Sequence, residues 1–448
     1  MDIVQGRNVD ESGDVRRESA EVVVIGTGAG GGVYAAELAE AGVDVLMIEE
    51  GGYYNSSDFT TKTSQMIKKL YRNAGTTIAI GRPNVIFAEG CCVGGSTVIN
   101  AGICWRTPKR ILKRWNWEHN IDGISPEEVS PCFEKVEQRV HVSPQEDLTF
   151  GGDSWVMKEG AERLGYKWMR VRRNHRFCTG TNNCALGCPI DAKQSILITY
   201  VPRALAAGAR LFSDCRVTRI KHNGQSANSV SCHFTDGNGK KRMALEVSAQ
   251  HIVVCGGSVQ TPNLLLRSKV PDKHKQLGRH LALHPNAKVI GIFDHEIMGW
   301  KGAIQGVQIT EFMEEGLMFG TTFVPPSLVA MSVPLWGAEA DDMMQHLNHM
   351  VTAGVLVEDT DSEGRVKAGL GGDATMSYHL GPHDYKQLRR GIAILSEIYF
   401  AAGATSVLLP YHNLKKLSSV DELRRIFDPK LKAVDMEVLT VHAMGTAR

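Results

Sequence analysis

The sequence predicts an α/β fold, with a Rossmann-like nucleotide-binding unit near its amino-terminal end and a second, sheet-based unit interleaved with it. Three observations carry that expectation. A β-branched run, "VVVI" at 22–25, leads straight into Gly26, Gly28 and Gly31 in G-x-G-x-x-G spacing. A second apolar run, "VDVLMI" at 43–48, ends on Glu49. A third, "HIVVCGG" at 251–257, runs into a helix start, and beyond it "HLALHPNAKVIGIFDH" and "GAIQGVQITEF" change to strand-like alternation.

Each element of the first unit has a physical reason. Val22 to Ile25 suit a strand buried on both faces of a parallel sheet. Gly26 permits the tight turn, Gly28 lets backbone approach a diphosphate, and Gly31 lets the following helix lie close on the strand. That helix carries a small apolar face of Tyr34, Ala35, Leu38, Ala39 and Ala41. Its amino terminus offers free N–H groups and partial positive charge to phosphate. Glu49 stands 21 residues after Gly28, near the ~20 of a carboxylate that accepts from ribose hydroxyls. No arginine follows at once, which argues against a 2′-phosphate. The glycine motif alone does not choose between NAD and FAD.

Two further glycine turns follow. "EGCCVGGSTVINAG" (89–102) contains Gly94, Gly95 and Ser96 and then Asn100; "CGGSVQTPNLLLRS" (255–268) joins a strand to a helix through Gly256 and Gly257. Each is either an ordinary turn or a place where main chain approaches a ligand closely.

Composition bounds the rest. The 448 residues allow two to four domains at roughly 100–200 residues each. A formal net charge of +1 provides neither a basic field for nucleic acid nor an acidic solvating excess. No apolar run approaches the ~20 residues that span a bilayer, and the start of the chain lacks a secretory signal. A cytoplasmic, reducing location is expected, with thiols or metal ligands rather than structural disulfides. Residues 1–20 read as a polar surface lead-in.

With these two glycine segments the chain resembles the glucose–methanol–choline (GMC) flavoprotein oxidoreductases, from about residue 20 onward. Cys91–Cys92 stand where a basic residue is common in that family, and Lys269 where a glycine often follows. The resemblance implies FAD, with its diphosphate on Gly26, Gly28 and Gly31 and its adenosine ribose on Glu49. It places Gly94, Gly95, Ser96 and Asn100 against the isoalloxazine and diphosphate, Gly257 at the second glycine turn, and the backbone of Val217 in "CRVTRI" against adenine. "LTVHAMGTAR" is similar to the family's His-Pro-x-Gly-Thr segment, with Ala443 for the proline. His442 is thereby the candidate catalytic residue: an imidazole titrating near neutrality accepts a hydroxyl proton while the flavin accepts a hydride. The bland alternative is an idle, exposed histidine.

The function this implies is FAD-dependent oxidation of the CH–OH group of a small alcohol, as a dehydrogenase passing electrons to a quinone, a cytochrome or O2. One alternative is a long-chain alcohol or sterol oxidase using O2. The other is a partner-dependent or inactive flavin-binding subunit. That last reading arises because the sequence stops at Arg448, six residues past His442. The family continues there with a segment that supplies a second His or Asn, which a partner chain would then have to provide.

Cys178, Cys184 and Cys188 form C-x5-C-x3-C-P. Thiolates ligate iron–sulfur clusters and zinc. The stretch resembles the cluster-binding segment of glucose and fructose dehydrogenases that carry an iron–sulfur cluster, which would favour a dehydrogenase. A similar stretch occurs in relatives resembling long-chain alcohol oxidases. A Cys3His zinc site with His175, a disulfide and plain packing are the rivals.

The expected division is a flavin domain over 20–110, 195–285 and 432–448, a linking and capping region over 111–194, and a substrate domain on an antiparallel sheet over 286–431. His280 and His284, near the crossover, either approach the active site or are structural. Residues 383–404 read as an amphipathic helix closed by Gly403. The apolar segment 319–337 is either pocket lining or core.

Overall fold

The 22–25 run forms the parallel centre of a mixed sheet, two of whose strands pair antiparallel at one edge. The structure, a computed structural model, describes residues 2–330 and 335–447. Strands β1 (Val15–Ile25), β2 (Val45–Ile48), β3 (Arg210–Ser213), β4 (Cys215–His222), β5 (Ala227–Thr235) and β6 (Lys241–Val254) build the first sheet. With the edge strand Asp2–Gln5 its order is Asp2–Gln5, β3, β2, β1, β6, β5, β4. Val22 and Val24 pack on one face with Ala35, Ala39 and Val201, while Val23 and Ile25 pack on the other with Leu46 and Phe212. Burial on both faces is why the run is continuously apolar. Helix α1 (Ala29–Glu40) leaves β1, and α2 (Gly257–Ser268) leaves β6.

The second sheet contains β7 (Asn286–Ile292), β8 (Val307–Ile309), β9 (Leu317–Thr321), β10 (Met350–Val357) and β11 (Val438–Thr440), in the order β11, β7, β10, β9, β8. Helix α3 (Pro382–Ala401) covers one face, where Leu388, Ile392, Leu395 and Ile398 meet Ala287, Val289, Ala353 and Val355. Its chain reverses through Gly403 at φ 99°. The even-numbered residues of β7 and β10 therefore turn to the opposite face.

Several expectations need correction. The lead-in is not a loose surface arm: Asp2–Gln5 pairs with β3, and β1 begins at Val15, pairing with β6 from Ala244. The second sheet is mixed, because Val438–Thr440 runs parallel to Val85–Phe87, and Ala374–His379 runs parallel to Thr77–Gly81. Those strands from 77–87 and 438–440 belong to this sheet although they fall inside the expected flavin-domain ranges. Trp168–Arg170, from the expected linking region, pairs with β8. The 319–337 segment supplies β9 and then Phe323, Val329 and Leu335 to a small apolar cluster, with Trp336 exposed; its residues 331–334 lie outside the described residues, as does Arg448. Among the described residues no helix is long and apolar enough to cross a membrane.

Candidate functional site

The glycines of the first motif do different jobs. Gly26 sits at φ 97°, and a β-carbon there would collide with the Cys255 carbonyl. A β-carbon at Gly31 would collide with the Gly26 carbonyl and stand 3.0 Å from the Cys255 side chain, so α1 lies on β1 and β6 only without a side chain there. Gly28 caps α1, and its nearest neighbour is the backbone of Gly95, 4.0 Å from where a β-carbon would stand. Gly94 N–H donates to Thr27 Oγ1 at 3.1 Å, which ties the 94–98 turn to the first loop. Two bare stretches of main chain thus form one cradle.

That cradle opens into a cavity of about 870 Å3 walled by Gly26, Gly28, Glu49, Gly95, Ser96, Val217 and Gly257, a size proper to cofactor sites. The amino termini of both α1 and α2 border it, so two helix dipoles favour an anion. Gly31 and Gly94 stand behind the wall, and Asn100 does not line the cavity. Asn100 is exposed, and its side chain accepts from Gly102 N–H. Glu49 is buried and already accepts from Thr27 N–H (3.0 Å), Thr27 Oγ1 (2.7 Å) and Gly51 N–H (3.0 Å). A carboxylate has about four acceptor sites, so Oε1 keeps one for a ligand hydroxyl. Burial pushes the Glu49 carboxyl above its ordinary pKa against these hydrogen bonds. At Val217 the β4–β5 register shifts, which frees local backbone groups.

The sequence reading missed other wall residues. Arg72 pairs with Glu50 and Glu89, and Gln260 donates to Glu89 at 2.9 Å. Asn263, 4% exposed, has an Oδ1 without a partner among the described residues. The phosphate cradle, two helix termini and an orphaned amide fit a bound dinucleotide such as FAD.

His442 follows β11 on a loop held at both ends. Its N–H donates to Thr440 Oγ1 at 3.2 Å; Ser258 Oγ at the start of α2 donates to Ala443 O at 2.6 Å, and Thr446 Oγ1 donates to Ser258 O. Gly445 and Thr446 line the cavity, so His442 lies beside it. His284 joins it, with ring centroids 6.2 Å apart. The His284 ring meets Asp359 at 3.1 Å and Tyr378 OH donates to the same carboxylate at 2.6 Å. Burial raises the Asp359 carboxyl's pKa, but His284 and Tyr378 outweigh it and hold the pKa low. The His442 ring is reachable from solvent yet surrounded by protein; desolvation, then the charge of His284, lowers its pKa to about 4. His280 bonds Gln276 instead. A second imidazole beside His442 is therefore supplied by this chain, through a left-handed residue at φ 46° that no strand pattern announces.

The cysteine segment is corrected. Among the described residues no group of three or more His, Cys, Asp or Glu is gathered to hold a metal. Cys184 Sγ accepts from the Arg173 guanidinium at 3.1 Å, Cys188 Sγ from Lys193 N–H at 3.4 Å, and Cys178 is half-exposed. His175 does not complete a zinc site either, and all three thiols are free. Burial raises the Cys184 thiol's pKa, but Arg173 and Lys193 outweigh it and lower it overall. The segment is a structural staple. Lys193 Nζ donates to Val98 O, Asn100 O and Cys184 O, each at 2.7 Å, and Asn182 donates to Trp300 O and Phe323 O. Lys193→Met leaves two buried carbonyls and one partly buried one unpaired and is expected to cost about 3 kcal/mol. A thermal melt checks this; an unchanged midpoint would remove the staple.

Comparisons with known proteins agree with this geometry. Residues 67–286 match the family described as GMC oxidoreductase, and residues 190–410 match the flavin-containing amine oxidoreductases. An uncharacterized GMC-type oxidoreductase, Rv0492c of Mycobacterium tuberculosis (strain H37Rv), is 34% identical over 430 residues, covering 96% of this chain and 67% of that protein. The long-chain-alcohol oxidase FAO3 of Arabidopsis thaliana is 27% identical, covering 89% of this chain and 55% of that one. The crystal structure of pyridoxine 4-oxidase from Mesorbium loti superposes with a TM-score of 0.70 at 16% identity, over 95% of this chain and 88% of that chain.

Proposed function

The chain belongs to the GMC-type oxidoreductases, which are flavin enzymes, and from that premise we propose that it oxidises the CH–OH group of an alcohol with FAD. FAD, when bound, supplies the hydride acceptor. Gly28 and Gly95 would face its diphosphate and Glu49 a ribose hydroxyl, with the Val217 backbone near adenine and Gly257 at the second helix terminus. His442 takes the hydroxyl proton. Its low pKa keeps it neutral and able to accept at neutral pH. His284, anchored by Asp359, stands where it can orient the substrate hydroxyl or share the proton. The observation that carries the reading is the His442–His284 pair on a loop whose next residues wall the nucleotide cavity.

The likeness to a long-chain-alcohol oxidase favours O2 as electron acceptor over a quinone or cytochrome. With the thiols dispersed, the argument for a dehydrogenase relaying single electrons loses its support. The test is spectroscopic. Purified protein is expected to show flavin bands without a broad iron–sulfur shoulder, and to bleach anaerobically with primary alcohols and recolour on admitting air. Flavin that no alcohol bleaches would refute the alcohol reading; recolouring only with an artificial acceptor would refute O2.

A further inference from the structure

The function proposed above leaves the alcohol unnamed, and the inference made here rests on that reading. On the face of the second sheet turned away from α3, residues of four neighbouring strands form one row. Lys288 on β7 pairs with Gly354 on β10, Gly354 with Gly320 on β9, and Gly320 with Gln308 on β8. Side chains on one face of a sheet normally stand in contact across strands. Two successive glycines therefore leave a trough between the lysine and the glutamine. At Gly320 a β-carbon would meet no atom within 4 Å. At Gly354 that place is taken by the amide of Asn286, whose Nδ2 would stand 2.8 Å from such a carbon, so the trough is open at Gly320.

The trough is polar where a core would be apolar. Asn286 is 7% exposed and Thr352 is 2% exposed, yet Asn286 Oδ1 and Thr352 Oγ1 have no hydrogen-bond partner among the described residues. Thr352 lies diagonally across from Lys288 on the same face, within reach of a long side chain. Lys288 is half-buried and makes no hydrogen bond or ion pair with the described residues; burial alone lowers its pKa to about 8. Taking an ammonium out of water without a counter-charge is costly, so the arrangement suits a negative group that arrives with a ligand.

Strand register ties the trough to the histidines. Asn286 pairs with Leu439 in antiparallel sense, so the chain leads to His442 on the side where β7 is preceded by His284. Lys288 lies on the other side, four residues on from His284 and about 7 Å along β7 from Asn286 at ~3.4 Å per residue. We propose that Lys288 and Thr352 form a subsite for a carboxylate carried by the substrate several carbons from the hydroxyl that is oxidised. The substrate class is then an ω-hydroxy carboxylate, with its chain running past Asn286 towards the histidines.

The test uses the ω-hydroxy acids of four to twelve carbons, each against the n-alcohol of equal length, on purified protein. Calorimetry should show that the best acid binds at least tenfold tighter than its matched alcohol. It should also bind at least tenfold tighter to wild type than to Lys288→Met, with the alcohol unaffected and Lys288→Arg retaining most of the affinity. If Lys288→Met does not fold, the acid-against-alcohol comparison in wild type and the Lys288→Arg variant decide alone. Equal affinity for acids and alcohols, or no binding of any acid in the series, overturns the subsite. Lysine-dependent binding of an acid that is never oxidised leaves the subsite standing and refutes the alcohol reading. Oxidation of alcohols with no preference for acids does the reverse.

Discussion

Protein carrying Gly28→Val is expected to purify without its yellow cofactor and with its fold intact. The two halves of that expectation have separate causes. Gly28 has φ −69°, an ordinary value for any residue, and a β-carbon there touches nothing nearer than Gly95 Cα at 4.0 Å. The free protein therefore tolerates a side chain. The added methyl groups occupy the cradle between the Gly28 and Gly95 backbones, where diphosphate oxygens would meet main-chain N–H groups at the start of α1. The expected loss in flavin affinity is at least 100-fold, about 2.8 kcal/mol. Gly26 makes the control. Gly26→Ala forces a left-handed residue and a collision with the Cys255 carbonyl, so it should lower the melting temperature of the free protein. Titrating FAD into both variants and melting them separates the effects. Flavin content equal to wild type in Gly28→Val would show that the cofactor lies elsewhere.

The second large effect belongs to His442. Substitution by Ala should leave flavin bound, because His442 is not among the cavity walls, yet slow anaerobic bleaching by alcohol about 10²- to 10⁴-fold, the usual contribution of a positioned base. The pH profile carries a signature that a structural role lacks. Desolvation and His284 lower the His442 pKa to about 4. The basic form therefore dominates from well below neutrality, and the bleaching rate should be level between pH 6 and 8 and fall only as pH drops towards 4. Stopped-flow measurement at several pH values checks this. A rate still rising steeply through pH 6.5 would mean an unperturbed base elsewhere.

The part of the site that was legible in the sequence is the part built from neighbours in the chain. Strand, glycines, helix, strand and acid lie within 22–49, and local spacing fixes each one's role; Gly28, Gly95, Glu49, Val217 and Gly257 do converge on one cavity. The second sheet was harder because its pairings are distant. Thr77–Gly81 and Val85–Phe87 are strands of five and three residues that pair with each other locally, but their other partners lie hundreds of residues away. Nothing local assigns them to one domain or the other. His284 stayed open between an active-site and a structural role for a similar reason, since its approach to His442 depends on a left-handed turn and on Asp359. The cysteines misled because ligand-like spacing says nothing of Arg173 and Lys193, which occupy Cys184 and Cys188 in the fold. Lys288 did leave a trace: a lone cation inside the otherwise apolar "AKVIGIF".

β11 sits between Val85–Phe87 and β7, in the interior of the second sheet's strand order, and it is the last strand along the described chain. A ribosome therefore releases the other strands described for that sheet before the one that joins its two halves. Until residues 438–440 emerge, the β7 edge near Asn286 and the edge of Val85–Phe87 are open, and unpaired edges invite association with other nascent chains. Closure of this sheet consequently waits for residues 438–440, and the yield in a cell should depend more on chaperone supply than on the speed of the first domain.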